Sequence, residues 1–148
     1  MASRSRIVSP LTAPRTAAPP RRRSFAEQGP TQDAETTRVP LGTICGARSG
    51  NKGGNADVGV WARSDVGYAQ FEKFLAVERF KSLIGEAHLL EVRRFAFPNT
   101  RSLNSIIVGL LGEGVSSNSR TDPQAKSLGE YLRAKVVELP AVLLADAP

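Results

Sequence analysis

Gly46-Ala-Arg-Ser-Gly-Asn-Lys-Gly-Gly-Asn-Ala-Asp57 sets three closely spaced glycines, Gly50, Gly53 and Gly54, between two segments with strand character. Glycine admits positive φ at no steric cost, so the stretch can turn the chain back, and converging N–H groups beside Arg48 and Lys52 make it a candidate receptor for negative charge. Before it, residues 41–47 form a short apolar segment with β-compatible Thr43 and Ile44, read as a first strand. After it, Ala56, Val58, Val60 and Ala62 alternate with Asp57, Gly59, Trp61 and Arg63. That period of two turns one row toward a core and puts Trp61 on the opposite face.

Further along, Ser64 or Asp65 is placed to cap a helix. Phe71, Phe74 and Leu75 recur at helical spacing, and Val77, Phe80, Leu83 and Ile84 continue the stripe with a small change of phase up to Gly85. Residues 89–97 read as a third strand, with Leu90, Val92, Phe95 and Phe97 as candidates for burial and Pro98 as its end. The apolar run 105–111 reads as a central strand and 112–120 as a polar loop. Asp122-Pro123 supplies an N-cap and a first-turn proline for a last helix with the stripe Ala125, Leu128, Leu132 and Val136, closed by Pro140. The order β, β, α, β, β, α predicts an α+β fold, a two-layer sandwich of about four strands with the helices on one face. The other face of the sheet must be polar, be covered or bind something.

Residues 1–38 carry seven arginines against Glu27, Asp33 and Glu35, a net +4 of the chain's +6. The basicity thus belongs to the N-terminal segment, which argues against nucleic acid as a partner of the domain. Five of the ten prolines also fall there, with no sustained apolar period, so the segment reads as a disordered Arg/Pro-rich tail compatible with an organelle transit peptide. The expected compartment is the cytoplasm, or the mitochondrial matrix if the tail is a transit peptide. No run approaches the ~18 apolar residues of a membrane span. Cys45, the one cysteine, excludes an internal disulfide and reads as a small buried hydrophobe, and His88, the one histidine, has no evident catalytic partner. The glycine stretch lacks the G-K-[ST] of a phosphate-binding P-loop, which excludes that route to nucleotide hydrolysis.

Val39-Pro-Leu-Gly followed by residues 46–63 resembles the opening of the ferredoxin-fold domain of acyclic terpene utilisation (AtuA) proteins, whose pattern runs V-P-L, then H-A-R-S-G-D-K-G-D-x-A-N-I-G-V-x-A-R. Further matches are Ala76-Val-Glu-Arg79, Leu103-Asn104, the glycine-rich residues 109–114 and Asp122-Pro-Gln-Ala-Lys126. The similarity covers nearly all of residues 39–139 and leaves 140–148 as a short C-terminal tail. It implies a ferredoxin-like sandwich, in a family whose domain is fused behind a larger AtuA domain or stands alone, associated with breakdown of citronellol-like and geraniol-like acids as coenzyme A thioesters. The stand-alone form implies an accessory subunit or binding module for a larger AtuA-type partner, with coenzyme A thioester as ligand. Two alternatives are a stand-alone acyl-CoA hydratase or lyase and a structural domain that forms a homo-oligomer. "Ferredoxin" names a topology here, because one cysteine cannot hold an iron–sulfur cluster, and no metal is implied. The chain departs from the pattern at Gly46, Asn51 and Gly54, where the family has His, Asp and Asp, which removes acid–base groups and leaves the loop more positive.

The candidate binding residues are Arg48, Ser49 and Lys52 with the backbone from Gly50 through Asn51 and Gly53 to Gly54, as charge-assisted donors to a phosphate or carboxylate. Asn55 and Asp57 stand at the exit, where Asp57 is expected to pair with Arg48 or Lys52. Arg120 joins them if the two polar loops face each other, and Asn104 holds a turn or reaches the ligand. Trp61 is expected to meet a partner protein or an acyl chain, and no catalytic residue is assigned.

Overall fold

The computed structural model describes residues 35–145. A hairpin of β2 (Cys45–Lys52) and β3 (Asn55–Ala62) is followed by α1 (Asp65–Phe74) and α2 (Val77–Leu83), then a second hairpin of β4 (Val92–Phe97) and β5 (Ser102–Ile107). These strands form one antiparallel sheet in the order β2-β3-β5-β4. α3 (Leu128–Arg133) comes next, and β6 (Val136–Pro140) pairs antiparallel with β1 (Thr36–Pro40) in a separate two-stranded sheet before α4 (Ala141–Leu144). The domain is α+β and ferredoxin-like in its layers. α1 lies on β3, α2 on β4, and α3 along β2 and β3.

Alternation in β3 sets the register of the whole sheet. Ala56, Val58, Val60 and Ala62 are buried toward the helices, and their partners in β5 are Leu103, Ser105 and Ile107. A slip of one residue would put this entire row into water. Phe71, Leu75, Phe80 and Ile84 fill the space beneath the helices, each at most 1% exposed. Ser64 caps α1 by accepting from Gly67 N–H at 2.9 Å. The single helical stripe in the sequence resolves into two helices, because Leu75 and Ala76 leave helical geometry at the point where the stripe changes phase.

The glycine stretch is mostly strand. Lys52 pairs with Asn55, so only Gly53 and Gly54 form the turn. Positive φ at Gly53 (61°) but not at Gly54 is the II′ pattern that suits strand twist. The tip docks on the following glycine-rich segment, where Leu111 N–H reaches Gly54 O at 2.9 Å and Gly109 N–H reaches Asn55 Oδ1 at 2.8 Å. A side chain at Gly54 would collide with the Gly112 carbonyl oxygen.

Four expectations are corrected. The run 105–111 is not one strand: β5 ends at Ile107, and positive φ at Gly109 and Gly112 folds the rest into turns, with Leu111 as a buried plug. The last helix shrinks to six residues, because Ala125 takes a positive φ and the chain beyond Ala134 pairs as β6, where Val137 and Leu139 are buried and Val136 and Glu138 are not. Residues 36–38, placed in the tail, belong to β1, which is held by its ladder to β6 although it buries little. Residues 141–144, also read as tail, form α4 and bury Leu143. Residues 1–34 of the tail lie outside the described residues.

Gly54→Ala should lower stability by about 1–3 kcal/mol, since overpacking against backbone forces the tip off its seat. Gly85→Ala, at a site with open space around it, should change it by less than about 0.5 kcal/mol. Urea denaturation of the two variants checks the difference.

Candidate functional site

Among the described residues the sheet's second face carries no helix. Register places Gly46, Trp61, Ser102 and Phe97 across its first row and Arg48, Gly59, Asn104 and Phe95 across the second. Gly50, Asp57, Ile106 and Arg93 make the third. Three glycines on one face strip it of side chains and leave a shallow trough. Trp61 (43%), Phe95 (45%) and Phe97 (49%) stand exposed along one end of it. Trp61 thus lies on the open face as its alternation predicted, and its indole occupies the space where a side chain at Gly46 would go. Phe95 and Phe97, taken as candidates for burial, belong to this exposed row instead.

Beside the trough, a cleft of about 380 Å³ wraps the β2 edge, lined by Arg48, Ser49, Gly50, Asn51, Lys52, Asp57, Gly59 and Lys126. Arg48, Lys52 and Lys126 make three cations against one carboxylate. None of these four side chains enters a hydrogen bond or ion pair among the described residues. The expected pairing of Asp57 with Arg48 or Lys52 is therefore not made; its carboxylate stands over Gly50. Arg48 and Lys52 share a face four residues apart, about 13 Å along the strand, so one small anion meets one of them at a time.

Only part of the backbone is free to serve an anion. Ala62 N–H goes to Arg101 O on the β5 side, so alternation turns Gly59, Asp57 and Asn55 toward β2, where Arg48, Gly50 and Lys52 pair with them. Those amides are spent in the ladder. The Ser49 and Asn51 amides point to the β2 edge, and the Cys45 carbonyl on that edge accepts from Arg133 Nε at 3.2 Å. The candidate site is thus made of side chains and an edge, and converging loop amides do not form it.

Ser49 faces the helix layer and its hydroxyl is engaged twice, donating to Lys126 O at 3.1 Å and accepting from Gly129 N–H at 2.8 Å. It positions Lys126 and is not a free donor. Asn55 is structural through Gly109. Arg120 does not join the cleft: its Nη2 meets Glu86 Oε2 at 2.7 Å in a separate hollow of about 510 Å³ with Ser119, Asp122, Ser127 and Tyr131. Asn104 does belong to the trough, and its Oδ1 is buried with no hydrogen-bond partner. Sequence reasoning missed Lys126 as a site residue. Its signal was the Asp122-Pro-Gln-Ala-Lys126 match, but nothing local placed it beside Arg48.

Two titratable groups are set by their surroundings. Burial pushes the Cys45 thiol up to about 12, only partly offset by Arg133 and Arg63, and its Sγ lies 3.4 Å from Leu41 O. Burial also raises the Asp122 carboxyl, but the Ser127 hydroxyl and amide and the Lys126 amide outweigh it and leave its pKa lowered. Among the described residues no His, Cys, Asp and Glu group is arranged to hold a metal ion, and no helix is long and apolar enough to cross a membrane.

Native protein at pH 8 should leave Cys45 unreacted with iodoacetamide, and unfolding should expose it; mass spectrometry of the two samples checks this. Because the folded pKa of Asp122 is depressed, its stabilisation is present above the unfolded value of about 3.9 and is lost as pH falls through the folded pKa. Asp122→Asn should lower stability at pH 7 and flatten the stability curve below about pH 4, as followed by thermal melts across pH.

No curated protein and no solved structure matches the chain at a significant level. A family model does: the AtuA ferredoxin-like domain aligns with residues 39–138, from the end of β1 into β6. Its span takes in the hairpin, the trough and the Lys126 segment together, and the chain belongs to the AtuA ferredoxin-like domain family.

Proposed function

We propose that this domain is a binding module for an amphiphilic anion, accessory to a larger AtuA-type protein that acts on acyl-CoA intermediates of acyclic terpene or branched-acid breakdown. One observation carries the reading: three untied cations share a cleft with a single carboxylate, beside a trough bordered by exposed aromatic rings. A phosphate or carboxylate end would sit at one of the cleft's cations, Arg48, Lys52 or Lys126, and an acyl chain would run over Gly59 toward Trp61 and Phe95. Charge-assisted donors favour the first contact and apolar area the second.

The departures from the family pattern fit binding better than acid–base catalysis. Trp61 takes the space at Gly46, and Gly54 is packed on the Gly112 carbonyl, so two of the three altered positions have no room for the family's His or Asp. Asp57 is the one carboxylate in the cleft.

Trp61 is the only tryptophan, so its emission reports the open face. Octanoyl-CoA, titrated into the millimolar range, should shift that emission saturably and raise Tm. Arg48→Ala combined with Lys52→Ala should weaken binding about threefold to fivefold and reduce its salt dependence. An unchanged emission and Tm, or equal binding by the double variant, would remove the reading.

A further inference from the structure

Asn104 lies in mid-sheet on β5, with Gly59 on one side and Phe95 on the other. Its Oδ1 is shielded from water and has no hydrogen-bond partner, although the residue itself is only half-buried. A buried acceptor left without a partner is costly and calls for an explanation. A structural one is missing, because the Asn104 side chain makes no hydrogen bond that would hold a turn or a strand end.

The surroundings supply a functional one. The helices lie on the other side of the sheet, so what shields Oδ1 is the open face's own side chains, and those of Trp61 and Phe95 are exposed by more than 40% and have room to move. Toward β2 the neighbour is Gly59, whose missing side chain leaves a gap bordered by Oδ1 at 3.8 Å from where a Cβ would stand. Arg48 lies beyond that gap in the same row. At ordinary strand spacing the two side chains originate about 10 Å apart, close enough for one small head group to touch both.

We infer that Asn104 is a specificity-determining residue, selecting ligands that carry an O–H or N–H donor beside the anionic group held by Arg48. This rests on the binding-module reading and names the ligand class it takes: a chain with a carboxylate at one end and a donor within a few bonds of it. A hydroxyl on the β carbon and an amide nitrogen on the α carbon are two sources of the same chemistry. A plain fatty acid offers Oδ1 nothing and leaves it buried and unmet. The free protein already carries the unmet acceptor, so the discrimination comes from the hydrogen bond that only a donor-bearing ligand adds.

Three probes with the same tail separate the cases: octanoate with no donor, β-hydroxyoctanoate with an O–H, and N-octanoylglycine with an N–H. Titration into the full chain, followed by tryptophan emission, should show at least one donor-bearing probe binding about tenfold tighter than octanoate. The donor that gains more identifies the source. Asn104→Leu should bring the ratio to about one and leave Tm unchanged or higher, since a partnerless acceptor is removed; Asn104→Ala serves if the leucine variant does not fold. Equal affinity of all three probes in the wild type would overturn the inference while leaving anion binding intact. No binding by any probe would overturn both. A marked fall in Tm for both variants would show that Asn104 holds the sheet, which also overturns it.

Discussion

The Ser49 hydroxyl joins the sheet to the segment that closes it. It accepts from Gly129 N–H and donates to Lys126 O, residues 80 and 77 positions away in the chain. β2 is an edge strand, and an open edge invites pairing with any passing chain. α3 settles on it so closely that a side chain at Gly129 would press on the Arg48 backbone at 3.3 Å, and Arg133 caps the Cys45 carbonyl one turn later. The same contact fixes Lys126 beside Arg48 and Lys52. Edge protection and assembly of the positive cleft are therefore one event, and Ser49 serves both.

Much of this was legible in the sequence wherever side-chain period carried the information. The alternation of Ala56 to Ala62 gave the face of Trp61 correctly, and the phase change after Leu75 marked the break between α1 and α2. The glycines were harder, because a glycine in a strand and a glycine in a turn look alike. Gly50 proved to be strand and only Gly53 and Gly54 turn; the difference depends on pairing across the hairpin, which the local sequence does not contain. The last helix was misjudged for a related reason. Leu128 and Leu132 fit a helical stripe, but Ala125 with its positive φ and the pull of β1 on Val136–Pro140 override propensity on either side.

The site was legible in its residue types and less so in its geometry. Arg48, Lys52 and Asp57 do line one cleft, but Ser49 and Asn55 turned structural and Arg120 was captured by Glu86. These outcomes depend on contacts 34 to 80 residues apart in the chain. Arg93 shows the same logic on the open face: its charge is held by Glu91 at 2.6 Å, so it does not compete with Arg48 for an anion. What distinguishes Arg48 is that no carboxylate among the described residues has claimed it.

Magnitudes say what such a face can do alone. An exposed ion pair contributes about 0–1 kcal/mol, so the cations of the cleft would guide and orient an anion more than they would hold it. Six methylenes of a medium acyl chain would contribute about 5 kcal/mol if fully buried, and roughly half of that when only one side lies on the sheet. Together these give a dissociation constant of roughly 3–15 mM, too weak for an efficient receptor. A second surface closing over Trp61, Phe95 and Phe97 would bury the chain's other side and exclude water from the ion pair, which strengthens both contacts at once. The openness of this sheet is thus a physical reason for the domain to work against a partner: the ligand would lie between them, and each protein would supply half of the site.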